Sequence, residues 1–322
     1  MGVSPVDIGI ATFKAKELML PSSVKDRRVV LLAGGTGYVG TRLTPLLEQK
    51  AVQLRCLART PDTLRRQVKH TTEIVHGDVL DPPSLDRSLQ GVDTAFYLVH
   101  LMSGSKDFEK DDRSAAVNFA GAAARAGVRR IIYLGGLGDD SDSELSPHLR
   151  SRHEVGKILR KSGVETIEFR ASAVIGAGSA SFELVRALTD RLPVMICPRW
   201  LVTRTQPISI DDALAYLLAA MELPAGESRI FEIGSADLTT YGGMIREYAR
   251  QKGLRRWLIP VPLLTPYLSG LWLALVTPAT SEVGRHLVEG LRNPTVVRDT
   301  KALDAFPIRP MGMRQAMQKA LA

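Results

Sequence analysis

The chain has 322 residues, a net charge of +8 at pH 7, 45% apolar and 24% charged residues, and two cysteines. That length allows one large α/β domain, or one domain with a smaller lobe, and the composition argues against a disordered or fibrous protein. Cys56 and Cys197 stand far apart in no ligand-like spacing, which argues against a disulfide framework and points to a reducing, cytoplasmic compartment.

The basic residues are scattered ("VKDRR", "LRRQVKH", "GVRR", "GLRRW") rather than gathered in a stripe with interleaved aromatics, so no nucleic-acid partner is expected. The positive balance suits phosphate-bearing small ligands equally well. Residues 1–27 read as an N-terminal extension. Their acids and lysines interrupt every apolar stretch, unlike a signal peptide.

From Arg28 to about Arg170 short apolar runs alternate with segments of helical period. Strands are predicted over 29–33, 52–58, 72–75, 94–99, 130–134 and 166–170, with helices over 38–49 and 113–126 among those between them. The alanine- and glycine-rich "AAVNFAGAAARAGV" suits a helix packed closely on a sheet and ended by Gly127. Such alternation predicts an α/β fold, a Rossmann-type doubly wound parallel sheet covered on both faces.

Beyond Arg170 the rhythm loosens. "SASFELVRALTDRLPVM" reads as a helix closed before Pro193, "ISIDDALAYLLAAMEL" as a helix begun near Ile210 with acids in its first turn, and "SRIFEIG" as a strand. Helices and proline-rich turns follow from Leu238. Residues 28–170 are therefore expected to form the nucleotide-binding core. Residues 171–322 should supply late strands and a smaller, mainly helical C-terminal substrate lobe interwoven with it. The most apolar stretch, 258–279, is punctuated by Pro260, Pro262, Pro266 and Pro278, leaving the unbroken run 267–277. A bilayer-spanning helix needs about 20 residues, so this segment is read as a buried lobe or a peripheral surface for a membrane or partner protein.

The stretch "VVLLAGGTGYVG" carries the chemistry. Gly34, Gly37 and Gly40 leave a strand and open a helix, with Thr36, Tyr38 and Val39 among them. In such a turn the first glycine permits the bend, the second lets backbone approach a pyrophosphate, and the third packs helix on strand. Uncapped amides at the helix start then favour the anion. The strand before, the helix after and a second strand supply the context a dinucleotide site requires. At the end of that second strand, where a ribose 2′-hydroxyl would meet an acid, "CLARTPD" offers Arg59, and Arg42 stands two residues past Gly40. Guanidinium pairs with a 2′-phosphate, so NADP(H) is the expected cofactor. Asp78 and Val79 in "HGDVLD" stand where an adenine edge would lie, and His100 ends the fourth strand near the cofactor. No metal site emerges, since the six histidines are dispersed.

In order along the chain, "LLAGGTGYVG", "GDVLDPPSL", "AFYLVH", "AAVNFAGAAARAGVRRIIYLGGLG", "SPHLRSRHEVGKILRKSGV" and "ISIDDALAYL" resemble the short-chain dehydrogenase/reductase superfamily. The likeness is to its extended and atypical branches, the NmrA-like NAD(P)-binding proteins and nucleoside-diphosphate-sugar epimerases, and covers residues 28–233 best. It implies a Rossmann sheet, a nicotinamide cofactor and a substrate pocket beneath the C-terminal lobe. Typical members use a serine, with a tyrosine and a lysine four residues apart on one helix. Here "SRHEVGKIL" puts Lys157 at the lysine position and His153 at the tyrosine position, while the serine falls at Gly135 or Gly136. His153 could exchange a proton, though a neighbouring cation would depress an imidazole pKa of about 6.5. Ser172, Ser179 and Ser181 stand where a loop would face the substrate. Two functions remain open. One is an NADPH-dependent reductase or dehydrogenase for a small, largely apolar organic substrate. The other is a non-catalytic NADP(H)-binding sensor or accessory subunit of a larger complex.

Overall fold

The computed structural model describes residues 28–101, 107–197, 199–260 and 291–322. Strand β1 (Val29–Ala33) is the run "VVLLA", and Val30 through Ala33 are wholly buried. A strand with no polar alternation must be covered on both faces, and this one is. Val30 and Leu32 point into one core with α1 (Tyr38–Leu47), while Leu31 and Ala33 point into another on the opposite face.

The chain then alternates through β2 (Gln53–Ala58), α2 (Pro61–Arg65), β3 (Glu73–His76), α3 (Pro82–Leu89) and β4 (Thr94–Tyr97). It continues as α4 (Phe108–Arg125), β5 (Arg130–Gly136), α5 (Pro147–Arg160) and β6 (Glu165–Ala171). After β7 (Val174–Ile175), α6 (Ala180–Arg191), β8 (Val194–Cys197), β9 (Arg204–Thr205), β10 (Ile208–Ser209) and α7 (Ile210–Ala219), strand β11 (Arg229–Ile233) pairs beside β6. The seven-stranded sheet has the order β11-β6-β5-β4-β1-β2-β3, and every pairing in it is parallel. This is the doubly wound Rossmann-type sheet that the sequence predicts.

Helices α3, α4 and α5 cover one face; α1 and α7 cover the other, joined by Ala302 of α9 (Lys301–Ala305) and by Phe306. The alanines of α4 at 115, 116, 120, 122 and 123 are buried, which lets that helix lie close to the strands. A third apolar cluster joins α6, α8 (Tyr241–Gln251) and α10 (Met313–Leu321). Strand β12 (Thr239–Thr240) pairs with β9, and β13 (Trp257–Pro260) pairs with β8 outside the main sheet.

Two strand ends differ from expectation by two residues, and the other predicted strand ends lie within one. β4 stops at Tyr97, because beyond the Leu98 amide, which donates to the Ala33 carbonyl (2.9 Å), the chain turns to meet the Gly34 bend. β5 runs on through Gly135 and Gly136, paired with Arg170 and Ala171, although glycine has weak strand preference. The 1–27 extension and residues 261–279 of the apolar stretch lie outside the described residues. Among the described residues no helix is long and apolar enough to cross a membrane.

Candidate nucleotide and substrate site

All seven strands end on one edge of the sheet, and the order reverses between β1 and β4. In open α/β sheets, ligands bind in the crevice at such a point. Here the crevice begins at the glycine turn. Gly34 has φ +93°, and a Cβ on it would stand 2.6 Å from the Leu98 carbonyl oxygen. A Cβ on Gly40 would run into the Gly34 carbonyl. Only glycine permits both contacts. Gly37, extended at φ −75°, precedes α1 without a side-chain cap, so the helix starts with amides that no side chain satisfies.

Two cavities open from this turn. The first, of about 310 Å³, is bounded by Gly34, Thr36 and Gly37, by the segment Arg59, Thr60 and Thr63 after β2, and by Asp78 and Val79 after β3. Arg59 is exposed at its rim. Asp78 is committed locally, since its carboxylate accepts from the Leu80 amide (2.9 Å). The second cavity has a volume of about 420 Å³. Tyr38, Val39 and Gly40 line it from α1, Leu134 to Gly136 from β5, and His148, Leu149 and Arg152 from α5. Ser172 to Val174, Ser181 and Tyr241 close it on the far side. Gly37, Leu98 and His100 border both cavities, so the two meet at the glycine turn.

Residues 34–176 match a family described as NAD(P)H-binding. This stretch is an NAD(P)H-binding domain. Among similar proteins, the (4-alkanoyl-5-oxo-2,5-dihydrofuran-3-yl)methyl phosphate reductase of Streptomyces griseus is 29% identical over 70% of this chain and 74% of its own length. The ceramide reductase of Caulobacter vibrioides is 26% identical over 80% of this chain and 83% of its own. An Escherichia coli NADPH-dependent quinone oxidoreductase, solved in complex with NADPH, shares the fold. Its TM-score is 0.71 at 18% identity, over 91% of this chain and 100% of that one.

Within the NAD(P)H-binding domain, the glycine cradle, the uncapped start of α1 and the paired cavities fit a dinucleotide. Of the sequence-predicted residues, Gly34, Thr36, Gly37, Arg59, Asp78 and Val79 line the first cavity. Tyr38, Val39, Gly40, Ser172 and Ser181 line the second, and His100 both. Four lie elsewhere. Arg42 lies over the Tyr38 ring, 3.9 Å from its centroid, and donates to the Ala177 carbonyl (2.5 Å), so it borders neither cavity. Ser179 caps α6: its hydroxyl accepts from the Phe182 amide (3.2 Å) and donates to the Val174 carbonyl (2.7 Å).

His153 and Lys157 do not border the cavities either. The imidazole of His153 is buried, its Nε2 3.0 Å from the Gly136 carbonyl oxygen and its Nδ1 2.7 Å from the Asp140 carboxylate. Burial first, and then the Arg170 cation, lower its pKa below the ordinary imidazole value. Lys157 is exposed. The cause is helical phase. At about 100° per residue, a pair five residues along α5 is rotated by roughly 140°. The face turned to the cavity carries His148 and, four residues on, Arg152.

Arg152 is nearly buried, donates to the carbonyls of Val99 (3.3 Å) and Leu134, and lies over the Tyr133 ring. It thereby bridges the ends of β4 and β5. Ser172 and Thr295 of the second cavity's lining belong to a hydroxyl cluster that sequence reading missed. Ser172 Oγ lies 2.7 Å from both Thr205 Oγ1 and Thr295 Oγ1, and those two are 2.9 Å apart. The signal available for His148 was its own four-residue spacing to Arg152. For the hydroxyl cluster there was none, because its members lie up to 123 positions apart.

Proposed function

We propose that the protein is an NADPH-dependent reductase acting on a small, largely apolar organic substrate. The observation that carries this reading is the junction of the two cavities at the glycine turn, one lined by Arg59 and the other by apolar walls with a few polar groups. In the first, the amides at the start of α1 hold the pyrophosphate, and Arg59 with Thr60 selects the 2′-phosphate. Asp78 and Val79 face the adenine. In the second, Leu134, Leu149, Ala173, Val174 and Leu291 form apolar walls, while Ser172 and Ser181 orient the polar end of the substrate. Arg152 holds the ribose next to the nicotinamide in place of the lysine common in the superfamily. Bound NADPH supplies a hydride. The resemblance to two reductases supports this chemistry.

Screening oxidation of NADPH and NADH against aldehydes, ketones, quinones and enones tests it. Turnover with NADPH for at least one class is expected, and tight binding without turnover on any class overturns it. That second result would favour a non-catalytic NADP(H)-binding accessory subunit. One observation supports the alternative. On the β8–β13 ribbon, Trp257 is 72% exposed and Val194 and Ile259 are each 49% exposed, a surface on which a membrane or partner could dock.

A further inference from the structure

The superfamily's tyrosine is absent from the cavity-facing side of α5, so a reductase built on this chain needs another proton donor. A hydrogen-bonded series of side chains ends at that cavity. Ser151 Oγ donates to Asp112 Oδ2 (2.9 Å), and the Leu101 amide donates to Asp112 Oδ1 (3.0 Å). The same Oδ2 lies 3.0 Å from His100 Nδ1, and His100 Nε2 lies 3.1 Å from His148 Nδ1. Asp112 is 1% exposed, and both imidazoles border the second cavity. Three elements thus contribute: α4 gives the carboxylate, the segment after β4 gives the first imidazole, and the first turn of α5 gives the second.

From this geometry we infer that His148 is the acid–base residue of the site and that His100 and Asp112 are positioning residues that fix its tautomer. The inference rests on the reductase reading. A carboxylate only accepts, so His100 carries its proton on Nδ1. Burial lowers the pKa of His100, and contact with His100 lowers that of Asp112 against the effect of burial, so the pair holds a neutral ring against a carboxylate. His100 Nε2 is then an acceptor, which puts a proton on His148 Nδ1 and leaves Nε2 as the nitrogen that gives or takes the reacting proton. Among the described residues, the charged and titratable groups that share the cavity or the hydrogen-bond series with His148 include His100 after β4, Asp112 on α4 and Arg152 on its own helix, with Tyr38 and Tyr241 also lining the cavity.

For a carbonyl substrate the step balances. Bound NADPH would supply a hydride to the carbonyl carbon as the C=O π bond breaks, and the Nε2 proton of cationic His148 would bond to the oxygen. The substrate would gain two electrons from the reduced cofactor and become an alcohol, leaving His148 neutral until water restores its proton.

Two measurements test this on the full chain. Imidazole ¹H–¹⁵N correlation spectra of the ligand-free protein should show both His100 and His148 protonated on Nδ1 in their neutral forms, with Asp112→Asn changing the His148 pattern. A His148 protonated on Nε2, unaltered by Asp112→Asn, overturns the relay. In turnover, His148→Gln should lower kcat about 100-fold or more, within the range for a lost general acid, while NADPH affinity stays within about threefold. The alkaline limb of the wild-type pH profile should vanish in that variant and move to lower pH in Asp112→Asn, which removes the carboxylate favouring the cation. Wild-type kcat in His148→Gln, or an unmoved limb in Asp112→Asn, contradicts the assignment. Should His148→Gln fail to fold, the spectra and Asp112→Asn decide. If wild type turns over nothing, the reductase reading fails, while the spectra still judge the relay separately.

Discussion

In the proposed nucleotide site Gly40, in the second cavity, and Arg59, in the first, act differently, one by having no side chain and the other by its charge. A methyl group at Gly40 cannot coexist with the Gly34 carbonyl, so Gly40→Ala must push α1 off β1 and misplace the amides at its start. Loss of detectable NADPH binding in calorimetry, with the circular dichroism of the folded chain retained, is the expected outcome. Arg59 is exposed at the rim of the first cavity, where the proposed function gives its guanidinium a ligand phosphate. A charge-assisted hydrogen bond contributes about 1.5–3 kcal/mol, so Arg59→Ala should weaken NADPH binding by roughly tenfold or more and leave NADH nearly unaffected. Equal losses for the two nucleotides would show that Arg59 does not read the 2′-phosphate.

At the scale of elements, what the sequence reveals depends on whether the signal is local. β1 matches its predicted bounds because five consecutive apolar residues flanked by an arginine and a glycine leave little choice. α5 shows the limit. The sequence carries two histidine-to-base pairs at helical spacing, 148 with 152 and 153 with 157, and only the packing of α5 against β5 decides which faces the cavity. A helix wheel ranks neither, since both sit beside apolar neighbours. The same packing explains why α5 tolerates buried polar groups, for His153 is taken up by Gly136 and Asp140. At the opposite edge of the sheet, Arg130 starts β5 with its side chain fully buried. It pairs with Glu165 (2.7 Å) and donates to the carbonyls of Ala220 and Leu223 (2.8 Å each) and Pro224 (3.1 Å). This ties the end of α7 to the sheet. Breaking a buried pair from one side costs about 3–5 kcal/mol, so Arg130→Met should lower the urea midpoint sharply. Adding Glu165→Gln should restore part of the loss, by removing a carboxylate left with only the more distant Arg229 (3.6 Å). A midpoint unchanged by Arg130→Met would refute the structural role.

For the whole molecule, burial of imidazoles has a consequence in pH. His100 and His153 both have pKa values lowered from the ordinary value, with desolvation as the largest cause. Each stays neutral when folded, whereas in the unfolded chain each binds a proton near pH 6.5. The unfolded state therefore holds more protons below that pH, and stability is present above it and lost as pH falls through the lower folded values. The melting temperature should be nearly level from about pH 7 to 8 and drop as pH falls below about 6.5, less steeply in His153→Gln. A melting temperature that is flat, or that rises on acidification, would contradict the burial of neutral rings. Sheet, glycine cradle and smaller lobe also bear on one further quantity, the affinity for the nucleotide. Calorimetric titration of the purified chain with NADPH and NADH measures it most directly. One nucleotide per chain is predicted, with NADPH the tighter by about tenfold, from loss of a charge-assisted contact in NADH; no heat with either nucleotide would contradict the account.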